Sequence, residues 1–177
     1  MEMAGVKIDK ERLLAAAEEA PPKIEALEKK IYGFRKGKEP FNLNSPKQLN
    51  KVLFNELRIK PIGEKSKSGL YSTKEEYLQQ LSSKHKIIEA ILEYRSLYKL
   101  YGTYLAGFAV RLSDDSRLHT DLKSHATATG RLSSSNPNLQ NVPRPENDVF
   151  GIRSFFVATE GKVLVVANYS QVELRVL

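Results

Sequence analysis

Apolar side chains recur at helical spacing through most of the first two-thirds of the chain. Val6-Lys7-Ile8 reads as a short extended segment, and Asp9 as the N-cap of a helix over Lys10–Glu19. Pro21-Pro22 is expected to end or kink that helix, because a residue before proline avoids the α region. Ile24, Leu27 and Ile31 carry the spacing into a second helix from Pro22 to Tyr32, and residues 33–40 form a polar, basic turn. Ser45 as a cap, Pro46 in the first helical position and Gln48 as a capping-box partner open a third, with Leu49, Val52, Leu53 and Leu57 on its apolar face. Residues 60–71, rich in Lys, Gly, Ser and Pro, read as a loop, after which Ser72 and Glu75 start another short helix. The longest periodic run is Ile87–Phe108, with Ile87, Ile88, Ile91, Leu92, Tyr98, Tyr101 and Leu105 on one face and Lys84, Lys86, Arg95 and Lys99 on the other.

After Gly107 the pattern changes. Leu118-His119-Thr120-Asp121-Leu122 alternates as a strand does, while residues 126–150 are rich in Ser, Asn, Pro and Gly and read as loop. Arg153–Ala158 and Lys162–Ala167 flank Thr159-Glu160-Gly161, which predicts a β-hairpin. The expected class is α+β, a helical first part followed by a smaller β-containing remainder, with a boundary near 108–118.

Composition narrows the chemistry. The chain of 177 residues is 41% hydrophobic, enough for a packed core. It has no Cys, which removes disulfides, thiolate metal sites and Cys nucleophiles. No two of His85, His119 and His125 sit at HxxxH spacing. There is no apolar run of about 18 residues and no signal-peptide core, so an intracellular protein without a membrane partner is expected. The formal charge of +7 is concentrated in residues 41–118, with 13 basic against 8 acidic side chains. That favours an anionic partner, although a lysine-rich solvated surface reads equally well on composition alone.

The most specific wording lies in Thr127-Ala128-Thr129-Gly130-Arg131-Leu132-Ser133-Ser134 and Asn136-Pro137-Asn138-Leu139-Gln140-Asn141-Val142-Pro143. Small hydroxyls, amides and one Arg are groups that reach phosphates and base edges. Asn and Gln can also donate to the minor-groove acceptors shared by all base pairs. A glycosylated or linker-like loop is the competing reading.

These runs, together with Val163-Leu164-Val165-Val166-Ala167-Asn168-Tyr169-Ser170-Gln171-Val172-Glu173-Leu174-Arg175, resemble the family A, polymerase I-type DNA polymerases. The first is similar to the conserved region at the thumb–palm junction, the second to motif A, usually DYSQIELR. The resemblance extends through residues 91–105 and 41–54, which look like thumb helices, to the opening segment. It implies a mostly helical thumb-like region at 1–117 and a partial antiparallel palm at 118–177. It implies a DNA-directed DNA polymerase that extends a primer with deoxynucleoside triphosphates, using two Mg²⁺ ions, in a bacterial or phage-like cytoplasm or otherwise inside a cell with DNA.

The resemblance also assigns roles. Arg131 is similar to the family's minor-groove arginine, with bonding to loop carbonyls as its structural alternative. Thr129, Ser134, Asn138, Gln140 and Asn141 would contact duplex, with loop-capping as the alternative for the three amides. Lys99 would track phosphates. Gln171 would line the site and Arg175 support it. Glu173 would crowd the sugar 2′ position, or simply be an acid in a helix's first turn. Tyr169 would offer its backbone carbonyl to metal. His125 reads as structural.

Two departures stand out. Asn168 occupies the position where the family has its metal-ligating Asp, and a neutral amide lacks the charge a hard dication wants. The 177 residues also stop short of the family's fingers helix and second carboxylate, so a fragment is expected, completed by further chain or by a second chain. A non-catalytic DNA-binding remnant or one half of a split polymerase is the alternative.

Overall fold

The computed structural model describes residues 2–35, 39–171 and Arg175. The fold is α+β, helical with two small antiparallel sheets among the described residues. The chain packs as two compact units, Ala16–Ala106 and Met1–Ala15 with Gly107–Leu177.

The described residues of the Ala16–Ala106 unit are all helix and loop. Helix α1 (Lys10–Gly33), whose first turns lie in the other unit, runs unbroken through Pro21 and Pro22, so the expected break is absent. The two prolines forfeit the bonds to the Ala17 and Glu18 carbonyls. Ala20, Ile24, Leu27 and Ile31 fall on one buried seam on either side of them, and that burial outweighs the loss. Arg35, just past the end of α1, pairs with Glu56 at 3.1 Å while its guanidinium lies 4.7 Å above the Phe41 ring.

Helix α2 (Pro46–Asn50) starts as the capping signals require, with Ser45 Oγ accepting from Gln48 N–H at 3.4 Å. Gln48 completes only half of the box, since its Oε1 accepts from Asn42 N–H at 2.7 Å. A π-helical stretch, Lys51–Glu56, then buries Val52 and Leu53. Helix α3 (Glu75–Leu81) begins after Lys74, and Ser72 Oγ accepts from Lys74 N–H ahead of it. Helix α4 (Lys86–Leu100) passes through a π-helical stretch (Tyr101–Leu105) into α5 (Ala106–Ala109), the long element predicted from periodicity. Its polar face is not uniformly solvated, because Arg95 donates through Nη1 to the Thr73 carbonyl and burial lowers its pKa.

Tyr94 is the largest fully buried side chain of α4 and titrates accordingly. Burial, then the Glu28 carboxylate that accepts a hydrogen bond from its hydroxyl, push its pKa up to about 12 from the ordinary 10.0. The unfolded chain therefore releases this proton at lower pH than the folded one. Stability from Tyr94 is whole below pH 10 and is lost as pH rises from 10 to 12, by up to about 3 kcal/mol. Ultraviolet titration of tyrosinate should show a late single-residue step that disappears in Tyr94→Phe.

The other unit holds the strands. β1 (Val6–Lys7) pairs antiparallel with β2 (Arg117–Leu118), in register Val6↔Leu118. Arg117 ties the edge together, donating to the Ala4 and Gly5 carbonyls and to Thr159 Oγ1 at 2.6 Å. Gly5 sits at φ +57°, and a Cβ there would lie 2.8 Å from the His119 ring. β3 (Asp121–Lys123) pairs with β4 (Ser133–Ser135). Ile8, Leu13, Phe108, Leu118, Ile152 and Phe155 are buried in this unit.

The predicted 153–168 hairpin does not form. Its turn is present, with Lys162 N–H donating to the Thr159 carbonyl at 2.9 Å and Gly161 at φ +72°. Its first arm is instead a 3₁₀ turn, Ile152–Phe155, because Ile152 and Phe155 are both buried at three-residue spacing. The chain then takes β1 as its neighbour: Phe156 bridges to Ile8, and Val157 N–H donates to the Lys7 carbonyl at 3.1 Å. Deprived of that arm, Val163–Val166 stand exposed outside any described strand.

Candidate functional site

The recognisable loop hangs on the β3–β4 ladder, whose register is Asp121↔Ser135, Leu122↔Ser134 and Lys123↔Ser133. Between the strands the chain turns at residues 127–131. Thr127 Oγ1 donates to the Arg131 carbonyl at 2.5 Å, and Gly130 takes the left-handed φ of +72°. Thr129 and Arg131 come out exposed at this tip. Beyond β4 the Asn136–Pro137 peptide is cis, and Asn136 Nδ2 donates to Asp121 Oδ2 at 3.0 Å.

Three of the expected site residues converge. Ser134 is buried, and its Oγ accepts from Leu139 N–H at 3.0 Å. Gln140 spans β4's free edge, its Oε1 accepting from Ser134 N–H at 3.2 Å and its Nε2 donating to the Leu132 carbonyl at 2.8 Å. Asn138 Oδ1 accepts from Gln140 N–H at 2.9 Å. Asn141 follows, exposed. Downstream, Arg153 Nε donates to the Pro143 carbonyl at 2.7 Å and Nη2 to that of Val142 at 3.1 Å, pinning the far end.

Charge along this segment has one sign. From Leu122 to Pro145 there is no acid, while Lys123, Arg131 and Arg144 each carry a cation. A loop of hydroxyls, amides and guanidiniums whose own residues carry no acid, with the Asp121 and Glu2 carboxylates held at its base by Asn136 and the Leu122 N–H, is suited to an anionic polymer.

The other expected residues lie elsewhere. Lys99 is exposed on α4, in the Ala16–Ala106 unit. Asn168, Tyr169 and Gln171 lie in exposed chain, where Gln171 adopts φ +51° and its carbonyl accepts from Arg175 N–H at 3.2 Å. Glu173 lies outside the described residues. Among the described residues no three His, Asp or Glu side chains gather where they could hold a metal ion. Around position 168 the described donors, the Asn168 amide oxygen and the Tyr169 carbonyl, are neutral. They do not fit a hard dication, which needs anionic oxygens.

Two residues that matter to the loop do not stand out in the sequence. Arg153 falls in a predicted strand arm, and its reach to residues 142–143 has no local sequence signal. Thr120 has one: it stands at the middle of the alternation Leu118-Thr120-Leu122, a hydroxyl at a position where the pattern calls for an apolar side chain.

Fold and loop together define a class, an α+β module that presents a cationic, acid-free polar loop. The model of DNA polymerase family A matches residues 10–177, and the chain belongs to that family. It is 47% identical over its whole length to the thermostable DNA polymerase I of Thermus thermophilus and 44% identical to DNA polymerase I of Bacillus subtilis. The chain spans about a fifth of the length of these relatives (21% and 20%). Among solved structures it resembles the POL domain of Pol1 from M. smegmatis in complex with DNA primer-template and dNTP. The TM-score is 0.84 at 37% identity, covering 98% of this chain and 30% of that one.

Proposed function

We propose that this chain forms the part of a DNA-directed DNA polymerase that grips primer–template duplex and carries motif A. The whole enzyme extends a DNA primer from deoxynucleoside triphosphates during replication or repair in the cytoplasm. Residues 1–117 serve as the thumb with its connecting segment, and 118–177 as the start of the palm. The observation that carries the reading is the acid-free loop from Leu122 to Pro145, with Arg131 exposed at its tip. Arg131 reaches the minor groove, Thr129, Asn138 and Asn141 line the duplex, and Lys99 meets phosphate. Ser134 and Gln140 join them on this reading, with their described bonds spent on holding the loop. Gln171 and Glu173 border the incoming sugar. Family members generally use Mg²⁺, two ions in the complete enzyme, and further carboxylates from the rest of the palm or from a second chain would have to supply the charge that Asn168 lacks.

Asn168 favours a second reading as well, a duplex-binding member of the family without catalysis, since it removes the anionic oxygen at that position. Both readings share the grip on DNA, which mutation tests. Arg131→Ala should weaken primer–template binding by about 1–3 kcal/mol in an anisotropy titration. Lys67→Ala, in the 60–71 loop, should cost well under half of that. Equal losses would remove Arg131 from its role.

A further inference from the structure

Thr120 precedes β3 and takes part in none of the roles given above, yet its hydroxyl has three oxygens around it. Ser134 Oγ lies at 2.6 Å, the Pro137 carbonyl at 2.7 Å and the Ser135 carbonyl at 3.0 Å. Carbonyls only accept, so the Thr120 proton must point at the Ser135 or Pro137 oxygen. Its lone pair is then free to accept from Ser134, whose own Oγ is already held by the Leu139 N–H at 3.0 Å. The protons order into one direction: Leu139 N–H to Ser134 Oγ, Ser134 O–H to Thr120 Oγ1, Thr120 O–H to the 135–137 carbonyls. The alternative acceptor for Ser134, the Pro137 carbonyl, is more distant at 3.3 Å.

This chain of bonds closes residues 134–139 onto the start of β3 from one side of β4. On the other side the Gln140 amide occupies the edge of β4 through Ser134 N–H and the Leu132 carbonyl. Ser134 is the node of both sets of bonds and is buried, so each lost partner strands a polar group away from water. Arg131 enters β4 two residues before Ser133, and Asn138 and Asn141 leave it within six residues of Ser135. Whatever fixes β4 between them fixes how these side chains are presented together.

We propose that Thr120 is a positioning residue for the duplex-binding loop: through the Ser134 hydroxyl and the Pro137 carbonyl it holds the backbone that presents Arg131, Asn138 and Asn141, without touching DNA itself. The inference rests on the duplex-binding reading above. It gives a reason for a hydroxyl at the break between β2 and β3, where the Leu118-Thr120-Leu122 alternation does not run as one strand. It also requires that the hydroxyl, rather than the branched methyl, be the active feature.

The test uses the 177-residue chain and a labelled primer–template duplex, with Thr120→Val, Thr120→Ala and Thr120→Ser compared with wild type across a salt series. Thr120→Val keeps shape and loses the hydroxyl, and should bind about tenfold more weakly. Its dependence on salt should match wild type, because no phosphate contact is removed. Thr120→Ser keeps the hydroxyl and should bind within about twofold of wild type. Amide exchange at Leu139 should quicken in Thr120→Val and not in Thr120→Ser. Thr120→Ala serves in place of Thr120→Val should the latter not fold. A folded Val or Ala variant with wild-type affinity overturns the proposal, as does a Ser variant no better than Val. Loss of the whole fold in both Val and Ala also overturns it, since a loop-positioning group should not hold up a unit. Absence of duplex binding by wild type would instead count against the underlying functional reading.

Discussion

Primer extension should be undetectable for the 177-residue chain and should stay so after Asn168→Asp. Joined to the remaining fingers and palm of a family A polymerase, the same pair should separate by roughly a thousandfold in rate, with the Asn168→Asp form the faster. That factor corresponds to about 4 kcal/mol of barrier, the scale expected when a group stabilising charge in the transition state is removed. The neutral amide of Asn168 contributes no anionic oxygen, and no cluster of three acidic or imidazole side chains among the described residues compensates for it. Carboxylates that hold one pair of cations act as a unit, so restoring one of them without the others should recover almost nothing. A four-way assay, Asn or Asp at 168 with and without the added segment, reads the interaction directly. The Asp-dependent gain should also show as a lower Mg²⁺ requirement. Equal rates for the Asn168 and Asn168→Asp forms of the joined enzyme would remove position 168 from the metal site.

The helical part was legible in the sequence because its burial is periodic. Ile87, Ile88, Ile91 and Leu105 are fully buried in a run of helix from Lys86 to Ala109, as the spacing required. The α1 prolines misled because local backbone rules carry no information about a seam that continues on both sides of them. The 153–168 hairpin misled for a related reason. Strand patterning says that a segment can pair but not with what, and Phe156 and Val157 pair with residues near the N-terminus. The loop at 127–143 was recognised by its wording rather than by any periodicity. Its internal bonds, Gln140 across the edge of β4 and Asn138 back to Gln140, favour the loop-capping alternative for the oxygens that they engage.

The largest stability effect should come from the Arg35–Glu56 pair. The two side chains are only 8% and 16% exposed, joined at 3.1 Å through both Nε and Nη2 to a single carboxylate oxygen. Arg35 also donates to the Glu39 carbonyl at 2.7 Å and stacks on Phe41, so its position is fixed from several directions. Glu56→Ala leaves a guanidinium buried without its counter-charge and should lower unfolding free energy by about 3–5 kcal/mol. Arg35→Met with Glu56→Leu, which removes both charges and fills the space, should recover most of that loss. Chemical denaturation of the three proteins gives the comparison, with a cost under about 1 kcal/mol for Glu56→Ala marking the pair as solvent-screened.

The central claim is that this chain grips duplex DNA through a cationic, acid-free loop. Its most direct measurement is the affinity of the 177-residue chain for a primer–template duplex at about 50 mM and about 200 mM salt. Phosphate contacts release counterions, so affinity should fall by about tenfold or more between the two conditions, and Arg131→Ala should lie below wild type at both. An affinity unchanged by salt and by Arg131→Ala, or no measurable binding at the lower salt, would contradict the account.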